Sequence, residues 1–364
     1  MNILFLTYQG GIAGSTQSIY FLANGLAERG HTILVGCPES SMLYRLLENS
    51  AARRVPMTFK GKLDGANMRQ IADLTKRYRI ELINAQSSRD RYTSMFAKWR
   101  YKLPVRVVHT RRQIPKSAGG YLQNVLYHKG TDAVVAVSNG VKKALAGPGM
   151  PADHIKVIYN GTPREKYSHY DTGLTQELAD TYGITADTPV IGCVSRKKHQ
   201  DQLLRAIGML EKKVTAFFIG VDITPEYREI MNHYKVPHTI HFCGRVPADK
   251  VLSYYPLFRL NVLPSTIEGL SQSLLESMAM GVPVIATRAA GNPDLIRHEE
   301  NGLMFGHGNI RELSEQIKQV LEDEGLRSKL IENGYRTALE EFSIENTISN
   351  YENFFKTLIE GGSV

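Results

Sequence analysis

The sequence has no run of about 18 consecutive apolar residues, the length that a helix needs to cross a lipid bilayer. Its opening, MNILFLT, is too short an apolar stretch for a signal peptide and lacks a positively charged start. The chain is therefore expected to be cytoplasmic and to meet membranes only at their inner face.

Cysteine is scarce, because the 364 residues contain only Cys37, Cys193 and Cys243. Each lies in an apolar, strand-like run, and none has the spacing of a metal site. This pattern excludes a disulfide framework and favours buried thiols in a reducing compartment. We therefore predict no metal site.

Acidic residues are scarce in the first half of the chain. Residues 1–164 contain 24 Lys and Arg against 9 Asp and Glu, a net charge of +15. Residues 165–364 contain 20 against 27, a net charge of −7. The basic half indicates an anionic partner such as a phosphate-bearing glycan or an acidic membrane surface, although a coat of solvated cations would give the same composition. Nucleic acid is disfavoured because no recognisable binding module accompanies the charge.

Short apolar runs alternate with helical patterns along the chain, which is typical of parallel sheets covered by helices. The first such unit is a strand at 2–7, a glycine loop, a helix from about Thr16 to Arg29 that ends at Gly30, and a strand at 32–36. The same alternation continues to the end of the chain. The sequence therefore predicts an α/β fold.

A stretch at 161–188 is rich in Gly, Pro, Asp and Thr and contains one weak helix, which indicates an interdomain connection. We predict two Rossmann-like, doubly wound domains of parallel strands, at 1–164 and 165–342. An amphipathic helix at 343–360, with Ser343 as its N-cap, follows them. The sequence allows this helix to pack on either domain.

Two glutamates stand at a strand-to-helix junction in the stretch LPSTIEGLSQSLLESMAMGVPVIAT, residues 263–287. Glu268 precedes the helix, and Glu276 lies on its polar side, while Gly281 and Pro283 end it. Strand, loop, helix and strand form a βαβ unit whose loop opens at the carboxyl edge of a parallel sheet. Open α/β sheets bind ligands at that edge.

The stretch GCVSRKKHQDQLLRA places Arg196, Lys197 and Lys198 directly after another buried strand. Three cations at an exposed sheet edge suit a diphosphate, because arginine offers a planar fork and lysine a mobile point charge. A basic turn without a ligand is the alternative interpretation.

The loop YQGGIAGST places Gly10, Gly11 and Gly14 before a helix, where backbone amides can approach an anion closely. It is not a dinucleotide fingerprint, because Gln9 stands where the first glycine of G-x-G-x-x-G is required. A nicotinamide oxidoreductase, with Glu39 binding a ribose, is therefore disfavoured.

These motifs, together with RGH at 29–31, VSNGVKKAL and IYNGTP, resemble retaining glycosyltransferase family 4, and in particular its bacterial surface-glycan and glycolipid members. The resemblance covers almost the whole chain, and its most specific part is the E-x7-E pair. It implies the GT-B fold, in which two domains face a cleft. It also implies transfer of a sugar from a nucleotide-diphosphate donor to a glycan or glycolipid, with retention and without metal or cofactor. A non-catalytic sugar-nucleotide or glycolipid binding protein is the alternative.

The resemblance also implies roles for single residues. Glu276 would bind the ribose hydroxyls and Glu268 a hydroxyl of the donor sugar. Arg196 and Lys198 would hold the diphosphate, with Lys197 as the alternative because the usual spacing is shortened here. The other implied donor contacts are Gly11, Gly269, Leu270 and the turn of Arg245 and Val246. The base and the sugar stay open.

Family members commonly place a histidine at the end of a first-domain strand, near the sugar. In PVRVVHTRRQIP either His109 has this role or Arg112 occupies the matching position. Cations crowd into the same region: Arg89, Arg91, Lys98, Arg100, Lys102, Arg106, Arg111, Arg112 and Lys116. We expect an anionic acceptor that contacts Arg89, Arg91, Arg111 and Arg112.

Overall fold

The computed structural model of the chain describes residues 1–11, 14–112, 121–146 and 149–362. The chain divides into two compact units. The first consists of Met1–Thr162 and the segment from Ser343 onward, and the second of Pro163–Phe342. The division lies inside the connection predicted at 161–188.

The first unit contains a sheet of seven parallel strands among the described residues. The strands are β1 (Asn2–Leu6), β2 (Thr32–Cys37), β3 (Arg53–Pro56), β4 (Leu82–Ala85), β5 (Arg106–Arg111), β6 (Ala133–Ala136) and β7 (Ile155–Val157). The helices are α1 (Gly14–Glu28), α2 (Met42–Leu46), α3 (Gly65–Tyr78), α4 (Ser88–Tyr101), α5 (Tyr121–Gly130) and α6 (Asn139–Ala146).

The second unit contains a sheet of six parallel strands among the described residues. The strands are β8 (Val190–Val194), β9 (Thr215–Ile219), β10 (Thr239–Gly244), β11 (Leu260–Leu263), β12 (Val284–Thr287) and β13 (Leu303–Phe305). The helices are α7 (Glu165–Ser168), α8 (Thr172–Tyr182), α9 (Gln200–Ile207), α10 (Pro225–Asn232), α11 (Ala248–Val251), α12 (Gln272–Ala279), α13 (Asn292–Leu295), α14 (Ile310–Glu322) and α15 (Glu324–Arg336).

The strand order of each sheet fixes where its ligand crevice lies. The first sheet runs β3-β2-β1-β4-β5-β6-β7 and the second β10-β9-β8-β11-β12-β13. In each sheet the order reverses between two neighbouring strands, β1 and β4 in the first and β8 and β11 in the second. Open α/β sheets bind ligands at such a switch point, outside the carboxyl ends of the strands. The prediction of doubly wound parallel sheets is confirmed.

The last helix, α16 (Ile344–Ile359), packs on the first unit. Its Ile348 lies so close to α1 that a Cβ at Gly25 would overlap it. Tyr351 and Phe355 are fully buried in the core beneath it. This burial, worth roughly 1.5–3 kcal/mol for a large apolar side chain, explains why the helix lies on this unit.

Two sequence-based predictions need correction, one on the bounds of a helix and one on the burial of a cysteine. The first helix starts at Gly14, two residues before the predicted Thr16, and ends at Glu28. The sequence predicts all three cysteines to be buried; Cys37 and Cys193 are buried, whereas Cys243 is half-buried. Among the described residues, no helix is both long and apolar enough to cross a membrane.

Candidate functional site

The switch point of the second sheet brings together two predicted site residues. Strand β8 continues into a turn at 195–199, and β11 continues into a loop at 264–271. Lys198 of the turn forms an ion pair with Glu268 of the loop, 70 residues away. Their side chains are 22% and 14% exposed, so the pair lies in a sheltered place that is still open to a ligand.

Gln200, at the start of α9, shapes the 195–199 turn. Its Oε1 accepts the Lys198 backbone N–H at 2.6 Å, and its Nε2 donates to Ser195 Oγ at 3.0 Å and to the Arg196 carbonyl at 2.8 Å. The side chain is fully buried, so these bonds are made away from water. His199, which links turn and helix, has a φ of 58°. Gln200 thus holds the turn in one conformation.

Sequence reasoning missed Gln200, although a signal for it exists. Leu203, Leu204 and Ile207 follow it at the third, fourth and seventh positions, which puts the glutamine on the apolar face of α9. A polar residue at such a position is buried and therefore needs hydrogen-bond partners.

Asn292 secures the loop that carries Glu268. Its fully buried Nδ2 donates to the carbonyls of Ser265 at 3.2 Å and Thr287 at 3.0 Å. The backbone N–H of Gly291 donates to the Glu268 carbonyl at 3.2 Å. The backbone of Glu268 is therefore held by the chain that follows β12.

The helix after this loop begins at Gln272, with Ser271 as its N-cap accepting the Leu274 N–H at 3.4 Å. Gly269 and Leu270 are buried and precede the cap. Their amides therefore belong to the loop, just ahead of the first helical turn.

Glu276, the fifth residue of α12, is 15% exposed and has two partners. Lys166 of α7 forms an ion pair with its Oε1, and the Tyr255 hydroxyl lies 3.1 Å from its Oε2. Burial, and next the charge of Glu276, raise the pKa of Tyr255 well above its usual value, so the phenol keeps its proton. Neither Lys166 nor Tyr255 was identified from the sequence.

The other cations of the turn differ in orientation. Arg196 is exposed, and Lys197 places its Nζ 5.9 Å from the centre of the Tyr227 ring. Of the two lysines left open by the sequence, Lys198 is the one paired with Glu268.

The predicted turn of Arg245 and Val246 follows β10, which is separated from β8 by β9. Arg245 is exposed and Val246 half-buried. Gly220, after β9, connects this region to the first turn, because a Cβ there would come 2.7 Å from the Ser195 carbonyl oxygen. Its N–H donates to the Gly244 carbonyl at 2.7 Å.

In the first unit, the predicted residues Gly10 and Gly11 follow β1. A Cβ at Gly10 would come 2.7 Å from the Cβ of Ser41, so this glycine is needed for packing. Gly11 is exposed, and its carbonyl accepts the Thr16 hydroxyl at 2.6 Å. Glu39 is exposed after β2.

His109 and Arg111 lie on β5 two residues apart and therefore face the same side of the sheet. The His109 ring is 1% exposed and contacts the Tyr127 ring edge-on, with 5.4 Å between centroids. Burial, and next the charges of Arg91 and Arg111, hold its pKa well below its usual value. His109 is therefore a buried, neutral imidazole.

Arg112 does not share the site predicted for Arg111. Its Nη1 donates to Asn160 Oδ1 at 3.0 Å, and its guanidinium lies near Tyr351 of α16, on the other face of the sheet. The prediction that both arginines contact one acceptor needs this correction. Between the two candidates for the sugar-proximal position, only His109 lies on the side of Arg111.

The remaining basic side chains of this region do not form one continuous exposed surface either. Arg89 is exposed, with its guanidinium 4.8 Å from the centre of the Tyr8 ring, whereas Arg91 is 8% exposed. Lys98 and Arg106 both pair with Asp132, at 2.7 and 3.0 Å. The predicted Lys116 lies outside the described residues.

Among the described residues, no group of three or more His, Cys, Asp or Glu side chains is arranged to hold a metal ion.

Comparison with known families covers most of the chain. Residues 12–166 match the model of Glycosyltransferase Family 4, and residues 181–337 match that of Glycosyl transferases group 1. The chain belongs to the family 4-like glycosyltransferases of the GT-B fold. The resemblance drawn from the E-x7-E block and the basic turn is confirmed.

Relatives of this family member come from several bacteria and an archaeon. An uncharacterised glycosyltransferase of Methanocaldococcus jannaschii is 27% identical over 62% of this chain and 60% of its own length. The N-acetyl-alpha-D-glucosaminyl L-malate synthase of Bacillus anthracis is 29% identical over 62% and 59%. The lipopolysaccharide core biosynthesis glycosyltransferase LpsE of Rhizobium meliloti is 28% identical over 64% and 66%. The alignments thus span about three fifths of the first two relatives.

Solved structures agree in fold over nearly the full chain. HepE of Anabaena in complex with UDP is 22% identical, with a TM-score of 0.83 over 98% of this chain and 100% of that one. A glycosyltransferase of Rickettsia africae is 20% identical, with a TM-score of 0.83 over 100% and 99%.

Proposed function

We propose that this family member transfers a sugar from a nucleotide-diphosphate donor to a hydroxyl group of a glycan or glycolipid, with retention at the anomeric carbon. The observation that supports the donor site is the pair of carboxylates, Glu268 and Glu276, each held by a lysine near the switch point of the second sheet. A sugar nucleotide offers hydroxyl donors and a diphosphate acceptor, which complement carboxylates and ammonium groups.

In this proposal Glu276 accepts hydrogen bonds from the ribose hydroxyls and Glu268 from a hydroxyl of the donor sugar. Lys166 and Lys198 hold the two carboxylates before the donor arrives, which lowers the cost of ordering them on binding. The further proposed donor contacts are Gly11, Gly269, Leu270, Arg245 and Val246.

The proposed reaction breaks the bond between the anomeric carbon and the diphosphate oxygen, and the diphosphate leaves with the electron pair. Arg196 and Lys198 stabilise the charge that grows on it. The departing phosphate oxygen takes the proton of the acceptor hydroxyl, which attacks from the same face, so retention needs no protein nucleophile. Because the two cations supply charge compensation, we propose that no metal ion is required.

The relatives guide the choice of substrates to test. HepE binds UDP and UDP-glucose in its solved complexes, LpsE acts in lipopolysaccharide core synthesis, and mycobacterial relatives are mannosyltransferases for a phosphatidylinositol mannoside. For this chain we propose a role in bacterial surface-polysaccharide or lipopolysaccharide synthesis, in the cytoplasm or at the inner membrane face.

The test is a thermal-unfolding screen against UDP-, GDP- and ADP-sugars, followed by detection of the released nucleoside diphosphate with a lipid-linked or soluble glycan. A ligand present at one hundred times its Kd should add about 2.7 kcal/mol of stability. EDTA should leave the rate at which the nucleoside diphosphate forms unchanged. A loss of this rate that Mg²⁺ or Mn²⁺ restores would contradict metal independence.

A matched control is Glu315→Gln, which neutralises an exposed glutamate on α14 of the same unit. It should bind donors as the wild type does, whereas Glu268→Gln should not. Binding of a sugar nucleotide without turnover, across the acceptors tried, would favour the non-catalytic binding protein. Binding of no sugar nucleotide would contradict the donor site itself.

A further inference from the structure

Two arginines come together in the first unit at the carboxyl edge of its sheet. Arg91 lies in the first turn of α4, after β4, and Arg111 ends the neighbouring strand β5. Arg91 is 8% exposed, and its Nε donates to the Ser87 carbonyl at 2.7 Å. Its Nη1 is buried and has no hydrogen-bond partner among the described residues.

Their charges are not neutralised by an ion pair. Among the described residues, no carboxylate oxygen lies within 4.0 Å of a guanidinium nitrogen of Arg91 or Arg111. Asp90 is the neighbouring acid, but its carboxylate accepts the backbone N–H groups of Tyr8, Gln86 and Ser87 at 2.7–3.2 Å. Burial, and next the charge of Arg91, lower the pKa of Arg111 to about 10.

His109, Tyr127 and Tyr92 add no negative charge to the surroundings of the pair, and Lys62 adds a further cation 4.6 Å from the centre of the Tyr92 ring. His109 is a buried imidazole whose Nε2 has no hydrogen-bond partner among the described residues. Tyr127 lies 5.9 Å from the Arg91 guanidinium, measured to its ring centre, and contacts the Tyr92 ring at 5.4 Å. Burial, and next its hydrogen bond with Tyr127, raise the pKa of Tyr92 to about 12, so its hydroxyl stays neutral.

Asp90 is close enough for its charge to interact with that of Arg91, but neither arginine has a direct ion-pair partner among the described residues. Two like charges withdrawn from water without such a partner cost free energy that packing alone does not return. Natural proteins keep such pairs where a ligand supplies the missing charge. Two guanidinium groups offer several N–H donors in planar forks, which match the oxygens of a tetrahedral dianion better than the two oxygens of a carboxylate.

We propose that Arg91 and Arg111 form a binding site for a phosphate group of the acceptor. The site lies one strand from the switch point between β1 and β4, at the edge where open sheets bind ligands. The assignment of this phosphate to the acceptor rests on the proposed function. The anion site itself does not depend on that function. Its source is either a lipid headgroup or a soluble phosphorylated saccharide.

The test uses inorganic phosphate as the probe, titrated at constant ionic strength in the presence of saturating UDP, GDP or ADP, whichever binds best, so that the basic turn of the second unit is occupied. Thermal unfolding and the NMR signals of arginine Nε–H groups report binding. Arg111→Gln should weaken phosphate binding about tenfold or more, because a charge-assisted contact is lost. Arg77→Gln, on the exposed end of α3, is the matched control and should bind as the wild type does.

Arg91→Lys provides a second variant, because Arg91 is buried and its removal could unfold the unit. Lysine keeps the charge but lacks the planar guanidinium group, so phosphate should bind more weakly while the affinity for the chosen nucleoside diphosphate stays unchanged. Acetate should fail to replace phosphate. Vesicles whose lipid carries a phosphate monoester, compared with phosphatidylcholine vesicles, separate the sources. Binding to the first alone assigns a lipid phosphate, and binding of a soluble sugar phosphate without vesicle binding assigns a soluble one.

The proposal is overturned if wild-type protein shows no phosphate-dependent stabilisation or Nε–H shift, or if Arg111→Gln retains both. It is also overturned if acetate binds as well as phosphate. If the wild type binds none of the three nucleoside diphosphates, the proposed donor site of the second unit is contradicted instead, so the two failures are distinguishable.

Discussion

Glu276→Gln should reduce the preference of this protein for a nucleoside diphosphate over its 2′,3′-dideoxy analogue, because a neutral amide oxygen replaces the charged acceptor. In the wild type, a ribose diol that bonds to an ionised carboxylate gains roughly 1.5–3 kcal/mol, the range for a hydrogen bond to a charged group. This corresponds to a preference of about 10- to 150-fold in Kd. The same loss of affinity is expected for Glu276→Ala.

The ratio of the two affinities is a better measure than either affinity alone, because of Lys166. Removing the charge of Glu276 leaves this lysine without its ion-pair partner, and an uncompensated cation attracts any diphosphate. That attraction raises the affinity for both ligands equally and cancels in the ratio. Glutamine also preserves the volume of the side chain and an acceptor for the Tyr255 hydroxyl.

The assay is isothermal titration calorimetry with UDP, GDP or ADP, whichever binds best, and its dideoxy analogue. Wild type, Glu276→Gln, Lys166→Gln and the double variant form a complete cycle, with Glu315→Gln as the control. Each variant must first show an unchanged unfolding transition. If Glu276→Gln keeps the wild-type preference for the ribose diol, Glu276 does not bind the ribose and serves only to anchor α7 to α12.

Four further results are expected. Arg196→Ala and Lys198→Ala should lower kcat more than they raise donor Kd, because charge on the diphosphate grows as its bond breaks; equal effects on both would contradict this role. Gln200→Met should cost roughly 1–3 kcal/mol of unfolding free energy by leaving turn groups unpaired, and should lower kcat in initial-rate assays; a variant of wild-type rate would show that the turn needs no such support. His109 has a lowered pKa in the folded chain, so its contribution to stability is intact above the pKa of the unfolded chain, about 6.5, and falls as the pH drops below it. Urea unfolding near pH 7.5 and near pH 5.5 should therefore show a smaller acid loss for His109→Gln than for the wild type. Raising salt should raise the acceptor KM and spare the donor KM, and Arg89→Glu should reproduce the effect; a flat acceptor KM would indicate a neutral acceptor.

The meeting of Lys198 and Glu268 in the second unit could be predicted from the sequence because parallel sheets obey a strict topology. Once the strand-like runs are numbered, the loops after the first and fourth strands of a doubly wound domain must meet at the switch point. Lys198 follows the first of these strands and Glu268 the fourth, so their ion pair is the expected consequence. The E-x7-E spacing then places Glu276 on the polar side of the following helix.

The hydrogen-bond and ion-pair partners of Glu276 could not be predicted in this way. Lys166 is 110 residues away in sequence and falls within the stretch interpreted as an interdomain connection. Tyr255 is 21 residues away, in a short 3-10 turn at Leu252–Leu257 that has no periodic pattern. Contacts made by side chains from irregular segments depend on the packed structure, which neither spacing nor propensity encodes.

Charge counting overestimated the basic surface of the first unit for a similar reason, and this changes the meaning of the salt experiment. Arg111 and Arg112 are adjacent in the sequence, but successive residues at the end of a strand point to opposite faces, and Arg112 is directed to Asn160. Lys98 and Arg106 share the single carboxylate of Asp132, which offsets one of their two charges. The excess of +15 is therefore not a uniform field that attracts an acceptor from a distance. Salt screens exposed charges strongly and sheltered ones weakly, so the part of acceptor binding that salt removes measures Arg89 and its exposed neighbours. The part that persists at high salt measures the sheltered arginine pair on α4 and β5.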